Sequence, residues 1–193
     1  MHDVTDLEHA HADPHPLLLE LEQYGRKEEV PAVPRAVGRL LGTLVHGMQA
    51  NRILEIGTAY GYATLWMALA QPPIGKIWTF DPDIERTEIA LTYFKRAGED
   101  DNIEIVNQPA LEVLPVFPQR NMDIVFIDAP GRDYPAYLEH CLPLLKLSGF
   151  VIFNNLLTSN DSAQFNREFL HHPDLDATII AVGGGLGIGA RKR

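Results

Sequence analysis

The sequence predicts a single α/β domain built on a doubly wound, mostly parallel sheet, with additional helices at its N-terminus. Short, nearly continuous apolar runs alternate with helical stretches after residue 51, a pattern typical of parallel strands that are buried on both faces. The length of 193 residues is that of one domain. With 46% hydrophobic and 22% charged residues, the composition is close to the globular average, which argues against disorder.

The predicted domain spans 16–193 and is preceded by a tail. Residues 1–15 are acidic and rich in histidine, and we expect them to form a flexible, solvated tail. Apolar side chains recur at helical spacing over 16–50, which predicts a helical extension, and 51–193 forms the sheet core. The two helices of the extension are predicted at Pro16–Glu29 and Pro34–Met48.

The core alternates strands with helices in chain order. Apolar runs predict strands at Arg52–Ile56, Lys76–Phe80, Ile103–Val106, Met122–Ile127 and Phe150–Phe153. Helical periodicity predicts helices at Ala63–Ala70, Ile84–Ala97, Leu111–Phe117, Tyr134–Leu145 and Ser162–Leu170. The last two segments, Ala177–Val182 and Ile188–Ala190, are predicted to pair as antiparallel strands.

Charge and cysteine content restrict the partners and the compartment. With 26 acidic and 16 basic residues, the formal charge of −10 argues against a broad nucleic-acid surface and against an anionic membrane anchor. No run reaches the ~18–20 apolar residues of a membrane span, and no secretory signal opens the chain. The single cysteine, Cys141, has no partner for an internal disulfide. We therefore expect a cytoplasmic protein.

Candidate ligand-binding residues follow the first two predicted strands, because open α/β sheets bind ligands beyond the carboxyl ends of their strands. Gly57 and Gly61 flank a tight turn where the backbone can approach a ligand closely, although a plain strand-to-helix turn explains the glycines equally well. Asp81 follows the second strand, where a carboxylate can accept hydrogen bonds from ribose hydroxyls. Asp81 could instead cap a helix, a role that Asp83 could also fill. Together the two signals favour an adenosine-containing ligand.

Polar side chains also follow the fourth and fifth strands. Asp128, Asn154 and Asn155 could together bind a divalent cation, Mg²⁺ or Ca²⁺, through oxygen ligands. One carboxylate and two amides make a weak cation site, since amide oxygens carry no net charge. A hydrogen-bonding rim around a substrate is an equally good interpretation.

Three longer motifs occur in order along the chain. Ile53–Ala70 carries LEIGT-x-x-GY-x-T-L, Asp123–Tyr134 carries D-x-VFIDA before Y-P-x-Y, and Leu142–Leu157 carries LPLL with a glycine before an Asn pair. Together with the ending GLGIGARKR, they resemble the S-adenosylmethionine-dependent O-methyltransferases of the catechol and caffeoyl-CoA type, in a bacterial form. The resemblance covers nearly the whole chain from about Asp13. It implies a Rossmann-like class I methyltransferase sheet with an antiparallel C-terminal strand pair.

The resemblance also implies a cofactor site for S-adenosylmethionine. The implied cofactor-binding residues are Glu55, Gly57, Gly61, Tyr62, Ala63, Asp81, Pro82, Ala110 and Asp128. Glu55, Gly57, Gly61 and Tyr62 would line the methionine end, Asp81 would bind the ribose, and Asp128 would lie beside the methyl group. The implied reaction is in-line displacement of the methyl group by an ionised oxygen, which a metal ion aligns and activates in typical members.

The chain departs from the family pattern where catalysis is expected. Asn154 stands at the usual aspartate of a D-N pair, and Gly131 stands at the usual lysine base. Arg132 is adjacent, but an arginine is effectively always protonated and makes a poor base. Pro109 replaces an aspartate near the adenine, and Ala63 replaces a common serine. The cofactor residues are therefore better preserved than the catalytic ones.

The leading prediction is an S-adenosylmethionine-dependent O-methyltransferase acting on a small hydroxylated, aromatic acceptor, with weak or no metal dependence. Its predicted catalytic residues are Asp128, Asn155 and Arg132, and Tyr134 and Asn154 are predicted to contact the substrate. The alternative is a cofactor-binding protein that has lost catalysis and acts as a partner or regulatory subunit.

Two other activities are less favoured. An NAD-linked oxidoreductase lacks its G-x-G-x-x-G motif, and the negative charge disfavours a tRNA acceptor without excluding it. We expect a homodimer, with the N-terminal helices forming either the wall of the acceptor pocket or the dimer contact.

Overall fold

The computed structural model describes residues 14–30, 32–158 and 162–193. Two helices precede the sheet, α1 (Pro16–Lys27) and α2 (Arg35–Met48). The predicted tail lies outside the described residues up to residue 13. His15, predicted as part of that tail, instead caps α1 by accepting a hydrogen bond from the backbone N–H of Leu17 at 3.3 Å. Pro16 fits the first turn of α1, where a missing N–H costs no hydrogen bond.

The core is a seven-stranded sheet with the order β3-β2-β1-β4-β5-β7-β6. The strands are β1 (Arg52–Ile56), β2 (Lys76–Phe80), β3 (Ile103–Val106), β4 (Met122–Ile127), β5 (Leu145–Phe153), β6 (Leu175–Ile180) and β7 (Leu186–Arg191). β1 to β5 pair in parallel, and β7 is antiparallel to both of its neighbours. The mostly parallel sheet and its antiparallel C-terminal pair are therefore confirmed. The strand order switches at β1 and β4, where such sheets bind ligands.

The remaining helices are α3 (Tyr62–Ala68), α4 (Ile84–Ala97), α5 (Ala110–Val113), α6 (Tyr134–Cys141) and α7 (Ser162–Leu170). The helices predicted at Leu111–Phe117 and Tyr134–Leu145 end earlier in the structure than in the prediction. α5 gives way to a 3-10 turn at Leu114–Val116, and α6 gives way to one at Leu142–Leu144. Each turn contains a proline, which lacks an N–H and clashes with the preceding turn of an α-helix. β5 consequently begins at Leu145, before the predicted Phe150.

Helices cover both faces of the sheet, as the nearly continuous apolar strands predict. α1 to α4 pack on one face, and α5 to α7 pack on the other. Within the described part of the chain, no helix combines the length and apolar character needed to cross a membrane.

Candidate functional site

The carboxyl ends of the central strands are joined by backbone hydrogen bonds. The N–H of Gly57 after β1 donates to Phe80 O at the end of β2, over 2.9 Å. The N–H of Asp128 after β4 donates to Ile56 O at the end of β1, also over 2.9 Å. Asn154 after β5 donates to Ile127 O over the same distance. The residues predicted from successive strand ends therefore do meet along one edge of the sheet.

Gly57 lets the β1 loop approach the β4 loop. Its φ is +100°, and a Cβ at this position would collide with the backbone carbonyl of Asp128. Only glycine adopts this conformation at low cost and leaves room for the contact. The loop is further held by Ala59, whose N–H donates to Asp81 Oδ2 over 2.8 Å.

The carboxylate of Asp81 is oriented by the loops around it. Its Oδ1 accepts the N–H of Asp83 over 2.9 Å, so two backbone groups orient the side chain. The alternative capping role belongs to Asp83, whose carboxylate accepts the N–H of Arg86 over 3.1 Å at the start of α4. Asp81 is therefore not used as a helix cap and lies in the wall of a cavity.

This cavity, here the large cavity, has a volume of about 420 Å³ and lies beyond the ends of β1, β2 and β4. Its size is within the range of sites for small ligands. Six of the site residues predicted from the sequence line it: Gly57, Asp81, Pro82, Ala110, Asp128 and Arg132. Carboxylates beside apolar walls suit a nucleoside, whose ribose is polar and whose base is flat.

A second cavity, here the small cavity, lies on the other side of Gly57 and has a volume of about 40 Å³. Tyr62 and Ala63 line it, as the sequence predicts, and Gly57 and Asp128 belong to both cavities. Its outer wall is formed by Leu21, Gly25, Val30, Ala32 and Val33 of the N-terminal extension. The sequence contains no local signal that assigns these five residues to the site.

Two predicted cofactor contacts lie behind the loop instead of lining either cavity. Glu55 is fully buried, and its Oε2 accepts hydroxyl hydrogen bonds from Thr64 at 2.5 Å and Thr79 at 2.6 Å. Burial raises the pKa of Glu55 to about 8. Gly61 has a φ of +81°, and a Cβ there would meet the ring of Phe94. Both residues support the loop from beneath in this structure, and their contact with the methionine end stays a prediction.

Asp128 is held by the two asparagines that follow β5. Its Oδ1 accepts the Nδ2 of Asn154 over 3.0 Å and the Nδ2 of Asn155 over 3.2 Å. Burial raises the pKa of Asp128, although the hydrogen bond from Asn154 opposes that shift. Asn154 is 1% exposed and lies outside both cavity walls, so its predicted substrate contact is not supported; Asn155 is exposed.

These donors do not form a good cation site. Mg²⁺ and Ca²⁺ prefer several oxygen ligands including carboxylates, whereas Asp128 is the one carboxylate here and one of its oxygens already accepts two N–H groups. No cluster of three acidic, histidine or cysteine side chains occurs in 14–30, 32–158 and 162–193. With a single carboxylate, the set Asp128, Asn154 and Asn155 makes a weak site for a divalent cation, and cation binding stays a prediction.

Tyr134 lies in the core in this structure, and its contact with a substrate stays a prediction. It is 1% exposed, and its hydroxyl donates to the backbone oxygen of Asn154 over 2.7 Å. Its ring packs against Phe153 and Phe165, with centroids 5.1 Å and 5.5 Å away. Arg132, in contrast, is highly exposed at the rim of the large cavity.

We expect Tyr134→Phe to lower the free energy of unfolding by about 1–2 kcal/mol, because it removes one buried hydrogen bond and keeps the ring. Cofactor affinity should remain within about twofold of wild type. Urea unfolding and calorimetric titration measure the two quantities. A loss of cofactor affinity with an unchanged free energy of unfolding would indicate that Tyr134 contacts the ligand.

Comparisons with known proteins agree with this geometry. The family described as O-methyltransferase matches residues 8–192. The chain is 34% identical over 168 residues to a catechol O-methyltransferase of Mycobacterium tuberculosis, covering 81% of this chain and 76% of that protein. The structure of TomG, an O-methyltransferase of Streptomyces achromogenes solved with S-adenosylmethionine, superposes with a TM-score of 0.88 at 28% identity, covering 98% of this chain and 95% of TomG. A Bacillus cereus O-methyltransferase solved with S-adenosylhomocysteine gives a TM-score of 0.87 at 27% identity, with 97% and 96% covered.

Proposed function

Since the chain belongs to the S-adenosylmethionine-dependent O-methyltransferase family, we propose that it methylates a hydroxyl group of a small aromatic acceptor with weak or no dependence on a metal ion. The observation that carries the proposal is the position of Asp128. This carboxylate lines both the large and the small cavity, and its Oδ1 accepts hydrogen bonds from two amides while no second carboxylate accompanies it in the set Asp128, Asn154 and Asn155.

The residues that line the large cavity are suited to hold the adenosine part of the cofactor. Asp81, oriented by two backbone N–H groups, would accept hydrogen bonds from the ribose hydroxyls. Pro82 and Ala110 would contact the adenosine in the large cavity, and Gly57 would allow close approach of the backbone. When bound, the cofactor supplies a methyl group made electrophilic by its sulfonium.

The acceptor is proposed to have a hydroxyl group with a low pKa, so that it ionises without a base from the protein. No lysine or histidine occurs among the described residues that line the two cavities, and Arg132 stays protonated. Gly131 provides no base at the position where related enzymes have lysine. The chain would therefore act by alignment, with Asp128 and Asn155 orienting the acceptor, and a phenol that ionises near neutral pH suits such a site.

A second candidate is a cofactor-binding partner or regulatory subunit without catalysis. The observation that favours it is the same pair of departures, Asn154 and Gly131, at positions where relatives carry catalytic groups. A homodimer remains a prediction.

Titration of the protein with S-adenosylmethionine and S-adenosylhomocysteine by calorimetry tests the first step, and we expect saturable binding of both. Methyl transfer to a panel of phenols and catechols should then favour the more acidic members. The rate should change by less than about twofold when EDTA replaces Mg²⁺, because a site lacking a second carboxylate holds the ion weakly.

Asn154→Asp is the matched variant for the test of metal dependence, since it places a second carboxylate beside Asp128. We expect this variant to bind Mg²⁺ measurably while the wild type does not. The absence of heat with either cofactor form would refute the binding step. Binding without turnover on any acceptor would favour the second candidate, and strong stimulation of the wild type by Mg²⁺ would reject metal independence.

A further inference from the structure

A carboxylate on α1 connects the N-terminal extension to the glycine turn. Glu22 Oε1 accepts the hydroxyl of Tyr62 over 2.5 Å and the Nε of Arg35 over 3.0 Å, and Glu22 Oε2 accepts the Nη2 of Arg35 over 2.7 Å. Arg35 is the first residue of α2, and Tyr62 is the first residue of α3, directly after Gly61. Three helices therefore meet at one side chain. We call Glu22, Arg35 and Tyr62 the Glu22 latch.

The latch is shielded from solvent and charged. The side chain of Glu22 is 11% exposed. Burial acts to raise its pKa, but the hydrogen bonds from Arg35 and Tyr62 hold the pKa of Glu22 below its ordinary value. Burial raises the pKa of the Tyr62 hydroxyl, which keeps its proton and donates it to the carboxylate. Hydrogen bonds to an ionised group are roughly twice as strong as neutral ones, so the latch is a strong contact.

A second contact aligns α1 with the same loop. The ring of Tyr24 on α1 meets the ring of Tyr60 edge to face, with centroids 5.0 Å apart and planes at 83°. α1 thus contacts the loop both at Tyr60 and at Tyr62. These contacts bring Leu21 and Gly25 of α1 over the small cavity.

The small cavity is too small for an amino-acid-sized group in this arrangement. Its volume of about 40 Å³ has room for a few water molecules. It adjoins Gly57, Tyr62 and Ala63, where the methionine end of the cofactor is expected. The wall that closes it comes from α1 and from Val30, Ala32 and Val33, so admitting that end requires this wall to move outward.

We propose that Glu22 is a positioning residue that holds α1 closed over the bound cofactor through Tyr62 and thereby sets the rate at which the cofactor leaves. The proposal rests on the proposed function, because it requires a cofactor whose amino-acid end binds beside Gly57. It assigns to the N-terminal extension a role in retaining the cofactor.

The test is the dissociation rate of S-adenosylhomocysteine from the full chain, followed by tryptophan fluorescence. Trp66, one of the two tryptophans, has its ring centroid 6.4 Å from that of Tyr62. Tyr62→Phe removes the hydroxyl and keeps the ring, and Glu22→Gln removes the charge. Each should accelerate dissociation about tenfold, the loss expected for one hydrogen bond to a charged group. The effects of the two changes should be less than additive in the double variant, since both act on the hydrogen bond between Glu22 and Tyr62, although Glu22→Gln also weakens the pairing with Arg35.

Glu20→Gln is the matched control. Glu20 also lies on α1 and pairs with Arg96 of α4 at 2.8 Å, but it does not touch the loop. This control should leave dissociation within about twofold of wild type, even if it lowers the melting temperature of the cofactor-free protein. If Tyr62→Phe dissociates at the control's rate, the latch proposal is wrong while the proposed function stands. A wild type that binds no S-adenosylhomocysteine by calorimetry rejects both.

Discussion

Gly57→Ala is expected to abolish cofactor binding and to lower the free energy of unfolding by at least about 3 kcal/mol. Two separate costs add at this position. A φ of +100° is unfavourable for any residue with a Cβ, and that Cβ would overlap the backbone carbonyl of Asp128. Backbone atoms cannot turn away as a side chain can, so the β1 and β4 loops must separate. Urea unfolding and calorimetry with S-adenosylmethionine measure the two effects.

Two other glycines separate these costs. Gly98 has a φ of +73°, and no heavy atom lies within 4 Å of the place that a Cβ would take, so Gly98→Ala isolates the backbone cost, about 1–2 kcal/mol. Gly47 lies in α2 and also has open space, so Gly47→Ala should be neutral or slightly stabilising. Both variants should bind the cofactor normally. A Gly57→Ala variant no less stable than Gly98→Ala would contradict the proposed close approach.

Glu55→Gln is expected to change how stability depends on pH. Because burial raises the pKa of Glu55 from 4.5 to about 8, the folded protein keeps this carboxyl protonated where the unfolded chain ionises it. The stability contributed by the neutral carboxyl is therefore fully present below pH 4.5 and is lost as the pH rises towards 8. The loss is roughly 1.4 kcal/mol per pH unit within that window. Glutamine cannot ionise. The free energy of unfolding of the variant should therefore rise relative to that of the wild type by a few kcal/mol between pH 5 and pH 8.

Urea unfolding at several pH values measures this difference. Glu104→Gln is the matched control, since Glu104 is exposed on β3 and stays in solvent in both states. Its stability should follow that of the wild type across the range. Parallel curves for Glu55→Gln and the wild type between pH 5 and pH 8 would show that Glu55 is not held protonated by the fold.

The positions of the main site residues could be predicted because they follow from chain direction. Parallel strands end on the same edge of a sheet, so Gly57, Asp81 and Asp128 had to meet once the alternation of strands and helices was recognised. The early ends of α5 and α6 could also have been predicted from the sequence, since Pro115 and Pro143 lie inside the predicted helices.

The orientation of individual side chains was harder to predict. Glu55 and Tyr134 lie in the right segments, but both point into the interior, towards Thr79 and towards Asn154. A residue next to a loop can face the ligand or the core, and strand alternation together with the packing of the following helix decides between them. The motif resemblance could not make that distinction.

The fold, the family and the edge of the sheet that carries the candidate site could be inferred from the sequence, because periodicity, turn residues and motifs are properties of neighbouring positions. How that site is closed became visible in the packing of the whole chain. The contact of Glu22 with Tyr62 and the wall of Leu21, Gly25 and Val33 join segments far apart in the chain. Such contacts depend on how the N-terminal helices pack on the sheet, and that packing is set by the summed burial of many side chains rather than by any local pattern.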